Sequence, residues 1–343
     1  MARQGHNGLT QSTMSRFSVR MTLLLCLLAL GGCSPSGDSA DRVVRVGFFA
    51  NVTHAPALVG LADGSFQKAL PPGWTIQSRV FPAGPELMVA LASGALDIAY
   101  VGPVPYLTAK ARGVPVAAQA GVCRGGVRLV AIPAVARQGL DGLAGRVVLV
   151  PQFGNTQDVQ MRMLLERLGV GTDGPGGVRL AQANPADADA LLLSGQAGAA
   201  LLPEPWGSVL IHSGRAVEMD IPAGREIFRE SPVTVLVASE HFGRRHPEVL
   251  GRWLDAHQQV VAKMGRDPAR AAALTEQQIK KWTGKSLPRL VAQNAFRSCI
   301  FDQTLDATVL AEMARISARN GYLPRRDGLV ESLVGEMGRR EGG

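Results

Sequence analysis

From Arg42 onward, short apolar runs alternate with longer amphipathic stretches. "RVVRVGFF" (Arg42–Phe49) reads as a strand, "HAPALVGLADGSF" (His54–Phe66) as a helix, "WTIQSRVF" (Trp74–Phe81) as a strand and "GPELMVALASG" (Gly84–Gly94) as a helix. "DIAYVG" (Asp97–Gly102) is a nearly continuous apolar strand, a helix starts at "PVPYLTAKARG" (Pro103–Gly113), and "VPVAAQA" (Val114–Ala120) is a fourth strand. Such alternation predicts parallel strands covered by helices on both faces.

The pattern then restarts. "LAGRVVLV" (Leu143–Val150), "GVRLA" (Gly177–Ala181) and "AGAALLPE" (Ala197–Glu204) are strands. The segments Asn155–Gly169, Pro185–Gly195 and Pro205–Gly214 are the helices between and after them. Aligning Ser93-Gly94 with Ser194-Gly195 superimposes two helix-stop-strand units, so two doubly wound lobes are expected. A late strand, "PVTVLVAS" (Pro232–Ser239), is followed by helices only, at Pro247–Lys263, Pro268–Lys281, Leu287–Phe296, Leu305–Asn320 and Leu329–Arg339. This predicts a return to the first lobe, hence lobe 1 from 43–125 plus 232–343 and lobe 2 from 126–231. Two connections make a hinge, and hinged lobes close over something small.

A chain of 343 residues, 46% hydrophobic, carries enough apolar material for such a core. Its formal charge is +8, and removal of Arg3, Arg16 and Arg20 with a leader would lower that to about +5. That is too mild to imply nucleic acid, and no aromatic-spaced basic stripe is present. The leader is read from a basic start followed by "MTLLLCLLAL" (Met21–Leu30), too short to span a bilayer but suited to a signal peptide. "LGGC" (Leu30–Cys33) resembles the lipobox of bacterial lipoproteins, which implies a signal peptide over 1–33, acylation of Cys33 and an extracytoplasmic, membrane-anchored chain. Residues 34–42 then form a flexible tether. Cys123 and Cys299 remain, either as a disulfide closing a long loop or as two buried thiols.

"VGFFANVTHAPALVGLADGSF", "LASGALDIAYVGPVPYLTAKARG", "VPQFGNTQD" and "LLPEPW", in that order, resemble the substrate-binding proteins of ABC importers for nitrate, taurine and aliphatic sulfonates. The resemblance implies an α/β fold of the type II periplasmic-binding class, two lobes on a two-strand hinge and a ligand in the interlobe cleft. It also implies a monomer without catalysis or cofactor, and partners in the form of a permease with its ATPase.

Ligands of open α/β sheets sit beyond the carboxyl ends of the strands. The loops there nominate Asn51, Thr53 and His54; Gly102, Pro103 and Tyr106; Gln152, Gly154, Asn155 and Thr156; and Glu204 and Trp206. "GNTQD" suits an anion cradle at a helix start, although Asn155 and Asp158 would equally cap their own helix. His54 would pair with an anion if protonated, or act as a wall. Cys123 and Arg124 stand where the family carries small hydroxyl residues. Arg124 could therefore grip an oxyanion, or face solvent at the hinge margin. Glu204 could reach the cleft or simply favour the positive end of its helix, and Tyr106 and Trp206 are cleft walls or core.

No HExxH, GxSxG or Walker A sequence occurs, and His241 and His246 lack further ligands at metal spacing. Relatives of this fold that make a thiamine pyrimidine or menaquinone precursor are the enzyme alternative. A receptor feeding a sensor is the third reading.

Overall fold

The computed structural model describes residues 42–172, 174 and 176–333. The expected leader, Cys33, most of the expected tether and the end of the helix expected over Leu329–Arg339 lie outside these residues. Among the described residues, eleven strands, β1 (Val43–Phe48), β2 (Thr75–Val80), β3 (Ile98–Val101), β4 (Val116–Gly125), β5 (Val127–Ala131), β6 (Val147–Val150), β7 (Arg179–Gln182), β8 (Ala199–Pro203), β9 (Val217–Glu218), β10 (Pro232–Ser239) and β11 (Cys299–Ile300), form two sheets. Their orders are β11-β4-β10-β3-β1-β2 and β7-β6-β8-β5-β9.

The sheets are mixed rather than wholly parallel. β1, β2 and β3 are parallel, as are β6, β7 and β8, but β10 runs antiparallel to β3 and β4, and β5 runs antiparallel to β8. The cause is the crossing itself: β4 leaves the first sheet and β10 returns to it, so the two strands, paired side by side, run in opposite directions. β4 passes into β5 through Gly125 and Gly126, at φ +69° and +65°, and no helix intervenes to restore a parallel direction. The left-handed conformation that glycine tolerates lets one extended strand change sheets there.

Two features depart from the expectation of helices only after Ser239. The helix Glu240–Arg245 is extra, and β11 extends the first sheet by pairing Cys299 with Gly125 and Ile300 with Arg124. The helix Pro222–Glu230, which precedes the returning strand, was also absent from the sequence reading.

Packing fixes the lobes. In the first lobe Val46, Phe48, Ile98, Tyr100, Leu236 and Trp253 are fully buried, and Phe66 stacks on Trp253 at 4.3 Å. Each such side chain contributes about 2–3 kcal/mol of apolar burial. The polar atoms inside are linked: Trp253 Nε1–H donates to Tyr100 Oη (3.3 Å), which lies 3.4 Å from His257 Nδ1, while His257 Nε2 lies 3.2 Å from the Gly121 carbonyl. A carbonyl beside Nε2 requires the proton there, so in the uncharged ring Nδ1 is the acceptor and Tyr100 donates to it. Burial pushes the pKa of His257 down to about 4.

The helix Ala307–Arg319 packs on both Pro103–Ala111 of the first lobe and Thr156–Arg167 of the second. Leu310, Met313 and Ala314 join an apolar cluster that also contains Val104, Leu107, Val159 and Leu164. Apolar surface of the helix Ala307–Arg319 is thus buried across the gap between the sheets.

Candidate functional site

The carboxyl ends of β1, β2, β3, β6, β7 and β8 open on one cleft of about 840 Å³, a volume within the range of small-molecule sites. Asn51, Thr53, His54, Gly102, Gln152, Asn155, Thr156 and Trp206 line it, as nominated from the loops. Phe49, Phe81, Gln157, Gln182, Asn184 and Thr283 line it as well. The first five of these follow strand ends or a helix start and were open to the same strand-end argument. Thr283, at the end of the helix Pro268–Thr283, carried no local signal.

Among the described residues, none that lines the cleft is Asp, Glu, Lys or Arg. His54 does not supply a charge either. Its Nδ1 accepts from the Phe49 N–H (3.3 Å), which leaves the proton on Nε2, and burial pushes its pKa down to about 3. At neutral pH it is an uncharged donor. Asn51 Oδ1 accepts from Thr53 Oγ1 at 2.8 Å, which orients that edge of the cleft.

The strongest polar feature lies at the start of the helix Thr156–Arg167. An α-helix leaves its first N–H groups without intrahelical acceptors. Here the Asn155 N–H donates to Gln152 O (3.2 Å) and the Asp158 N–H to Asn155 Oδ1 (2.8 Å), leaving the N–H groups of Thr156 and Gln157. The hydroxyl of Thr156 is buried without a partner in the same place. Gly102 faces it: a Cβ there would sit 2.4 Å from Thr156 Oγ1, so the first lobe must present bare backbone at that point.

Gly154 is not part of this opening. Its N–H donates to Asp158 Oδ2 (2.8 Å), Arg162 Nε holds Asp158 Oδ1 (2.9 Å), and the Tyr322 ring packs 3.3 Å from where a Gly154 Cβ would stand. Asn155 and Asp158 thus do cap their own helix, and the unclaimed N–H groups lie one step along the chain, at Thr156 and Gln157.

The remaining nominated residues lie outside the cleft lining. Glu204 is fully buried, where its carboxylate accepts from Arg128 Nε (2.5 Å), Ser208 N (3.0 Å), Ser208 Oγ (2.8 Å) and Ser298 Oγ (3.3 Å). It caps the helix Trp206–His212 and joins it to the segment leading into β11. Arg124 donates through Nε and Nη2 to Asp302 Oδ2 (3.0 and 2.6 Å) and through Nη1 to Glu230 Oε2 (2.5 Å). These contacts tie both hinge segments together, and the hydroxyl-replacing Arg124 is spent on protein carboxylates. Pro103 and Tyr106 are buried in the first turn of their helix, and Cys123 is buried with its thiol toward the Arg124 carbonyl (3.4 Å). Lys285 Nζ, outside the cleft lining, stands 5.9 Å from the centre of the half-buried ring of Trp206, which lines it, within cation–π reach.

Residues 37–277 match the NMT1-like family. A protein of Brucella abortus named only as a binding protein is 25% identical over 330 residues, covering 92% of both chains. Among solved structures, the periplasmic aliphatic sulphonate binding protein of Escherichia coli superimposes with a TM-score of 0.70 at 17% identity, covering 83% of this chain and 89% of that one. The alkanesulfonate-binding protein of Xanthomonas axonopodis pv. citri bound to MOPS gives 0.68 at 21% identity, with 85% and 97% covered. The periplasmic nitrate-binding protein of Synechocystis gives 0.66 at 15%, with 85% of each chain covered. The fold is that of the periplasmic binding proteins.

Proposed function

The chain belongs to the NMT1-like family, and from that premise we propose that it is a solute-binding protein of an ABC importer that captures a small anionic organic molecule, of the sulfonate, taurine or nitrate type, between its lobes. The observation that carries this reading is the cluster of unclaimed donors at Thr156: two backbone N–H groups and a buried hydroxyl, opposite bare backbone at Gly102. Oriented N–H groups at a positive helix end hold an anion without a formal counter-charge. His54 Nε2–H and the side-chain amides of Asn51 and Gln152 would orient the rest of the solute, and Lys285, beside Trp206, would draw anions toward the cleft.

The lobes in this reading are 43–125 plus 232–343 and 126–231, turning about Gly125-Gly126 and Glu230-Ser231. Binding rather than catalysis is the role. The chain would be exported, acylated at Cys33, tethered by residues 34–42 and partnered with a permease and its ATPase. Loss of metabolic palmitate labelling in Cys33→Ser tests the anchor.

A second reading takes a neutral planar heterocycle, and one observation favours it. Phe49, Phe81 and Trp206 line a cleft whose described lining carries no formal charge. Thermal-shift screening separates the two. Alkanesulfonates, taurine, nitrate and phosphonates should raise the transition temperature by mass action. A response only to neutral heterocycles would overturn the anion assignment, and a response to nothing in either set would count against solute capture.

A further inference from the structure

Cys123 lies two residues before the end of β4, and Cys299 opens β11. The register places Cys299 opposite Gly125. Cys123 and Gly125 lie on one face of β4, so Cys123 and Cys299 are diagonal neighbours across the pair. Both sulfurs converge on the hinge: a Cβ placed on Gly126 would stand 2.6 Å from Cys299 Sγ and 3.8 Å from Cys123 Sγ. The Thr53 methyl is 2.8 Å from that same point, so the pair sits directly behind the cleft wall. Burial holds the Cys123 thiol well above the usual thiol range, with the neighbouring Cys299 sulfur adding to the effect. Cys299 is half-buried and hence the accessible member.

We infer that Cys123 and Cys299 are a disulfide site that fastens β11 to the hinge end of β4. The reaction is exchange with an external disulfide, RS–SR. The Cys299 thiolate attacks one sulfur, the S–S bond breaks and one RS⁻ leaves to take up a proton. Cys123 then loses its proton and attacks Cys299 Sγ, expelling the second RS⁻. Two protein thiols become one disulfide, and the external disulfide becomes two thiols. Formation in the cell rests on the export proposed above and needs a protein disulfide donor in that compartment, whereas formation in vitro tests the site whatever the solute is. The closed loop contains the whole of residues 126–231, so the bond restricts the unfolded chain strongly. It also limits twisting at Gly125-Gly126, the point at which β4 leaves its sheet.

The test uses the full chain, folded and reduced, then equilibrated with oxidised glutathione, alkylated and digested without reductant for mass spectrometry. The expected result is a linked Cys123–Cys299 peptide, two hydrogens lighter than the two reduced peptides together. The oxidised chain should melt higher than the reduced one by roughly 5 °C. Cys299→Ala should lack both the linked peptide and the rise. Cys123→Ala should do the same, and if it fails to fold, Cys299→Ala alone supplies the control. A Cys299 adduct that stops at glutathione, a Cys123 alkylated only after denaturation, or pairing with Cys26 or Cys33 instead would overturn the inference.

Discussion

Replacing Thr156 by Val separates the cost of an empty site from its use. The hydroxyl is buried without a partner, and Val keeps the shape while removing the oxygen. A buried hydroxyl without a hydrogen bond costs about 1–3 kcal/mol, so the solute-free variant should be more stable than the parent by about 1 kcal/mol. A hydrogen bond to a charged group contributes about 1.5–3 kcal/mol, so the same change should weaken an anionic solute roughly ten- to hundredfold. The two effects have opposite signs, which a merely structural threonine would not produce. Urea denaturation of the solute-free chain gives the first quantity, and calorimetric titration with the best compound from the screen gives the second. A variant destabilised by more than about 1 kcal/mol, or one whose affinity moves less than about threefold, would refute the assignment of Thr156.

Three further outcomes follow from the same structure. Glu204→Gln removes the charge that pairs with Arg128 and puts an NH2 donor in place of one of the two oxygens that accept from Arg128 and Ser208, and should cost on the order of 3 kcal/mol in denaturant unfolding; a change below about 1 kcal/mol would mean the pair is not formed. Arg124→Ser should leave solute affinity unchanged within about twofold and cost only about 1 kcal/mol, because its carboxylate partners Asp302 and Glu230 are partly exposed; a large loss of affinity would put the guanidinium in the cleft. His54 and His257 are held at about 3 and about 4, below the value of an unfolded histidine, so the unfolded chain binds protons that the folded one refuses. Stability should therefore be complete above pH 6.5 and fall as pH drops below it, by about 1.4 kcal/mol per pH unit for each histidine. A midpoint in urea equally steep in pH for His54→Gln and the parent would contradict this.

The sequence carried the lobes further than it carried the site. "PVTVLVAS" coincides with β10, and prolines open the helices that begin at Pro247 and Pro268, because their constraints are local. The mixed strand directions were not legible, since an apolar run announces a buried strand but not which way its neighbour points. The strand-end loops found eight of the residues that line the cleft. They missed Thr283, and they misjudged the reach of Arg124 and Glu204, whose partners are remote: Asp302 stands 178 positions from Arg124, and Arg128 stands 76 from Glu204. At Gly154 the local alternative prevailed. Asp158, four residues on, accepts the Gly154 N–H, and the Tyr322 ring packs where a side chain would stand.

The central claim is that an anionic group is held by neutral donors at the head of the helix Thr156–Arg167. A crystal structure with the strongest oxyanion from the screen tests it directly. The account predicts an oxygen of that ligand within hydrogen-bonding distance of the Thr156 N–H and Oγ1, with Gly102 closing over it from the other lobe. A ligand whose anionic group lies instead against Lys285, or wholly outside the cleft, would contradict it.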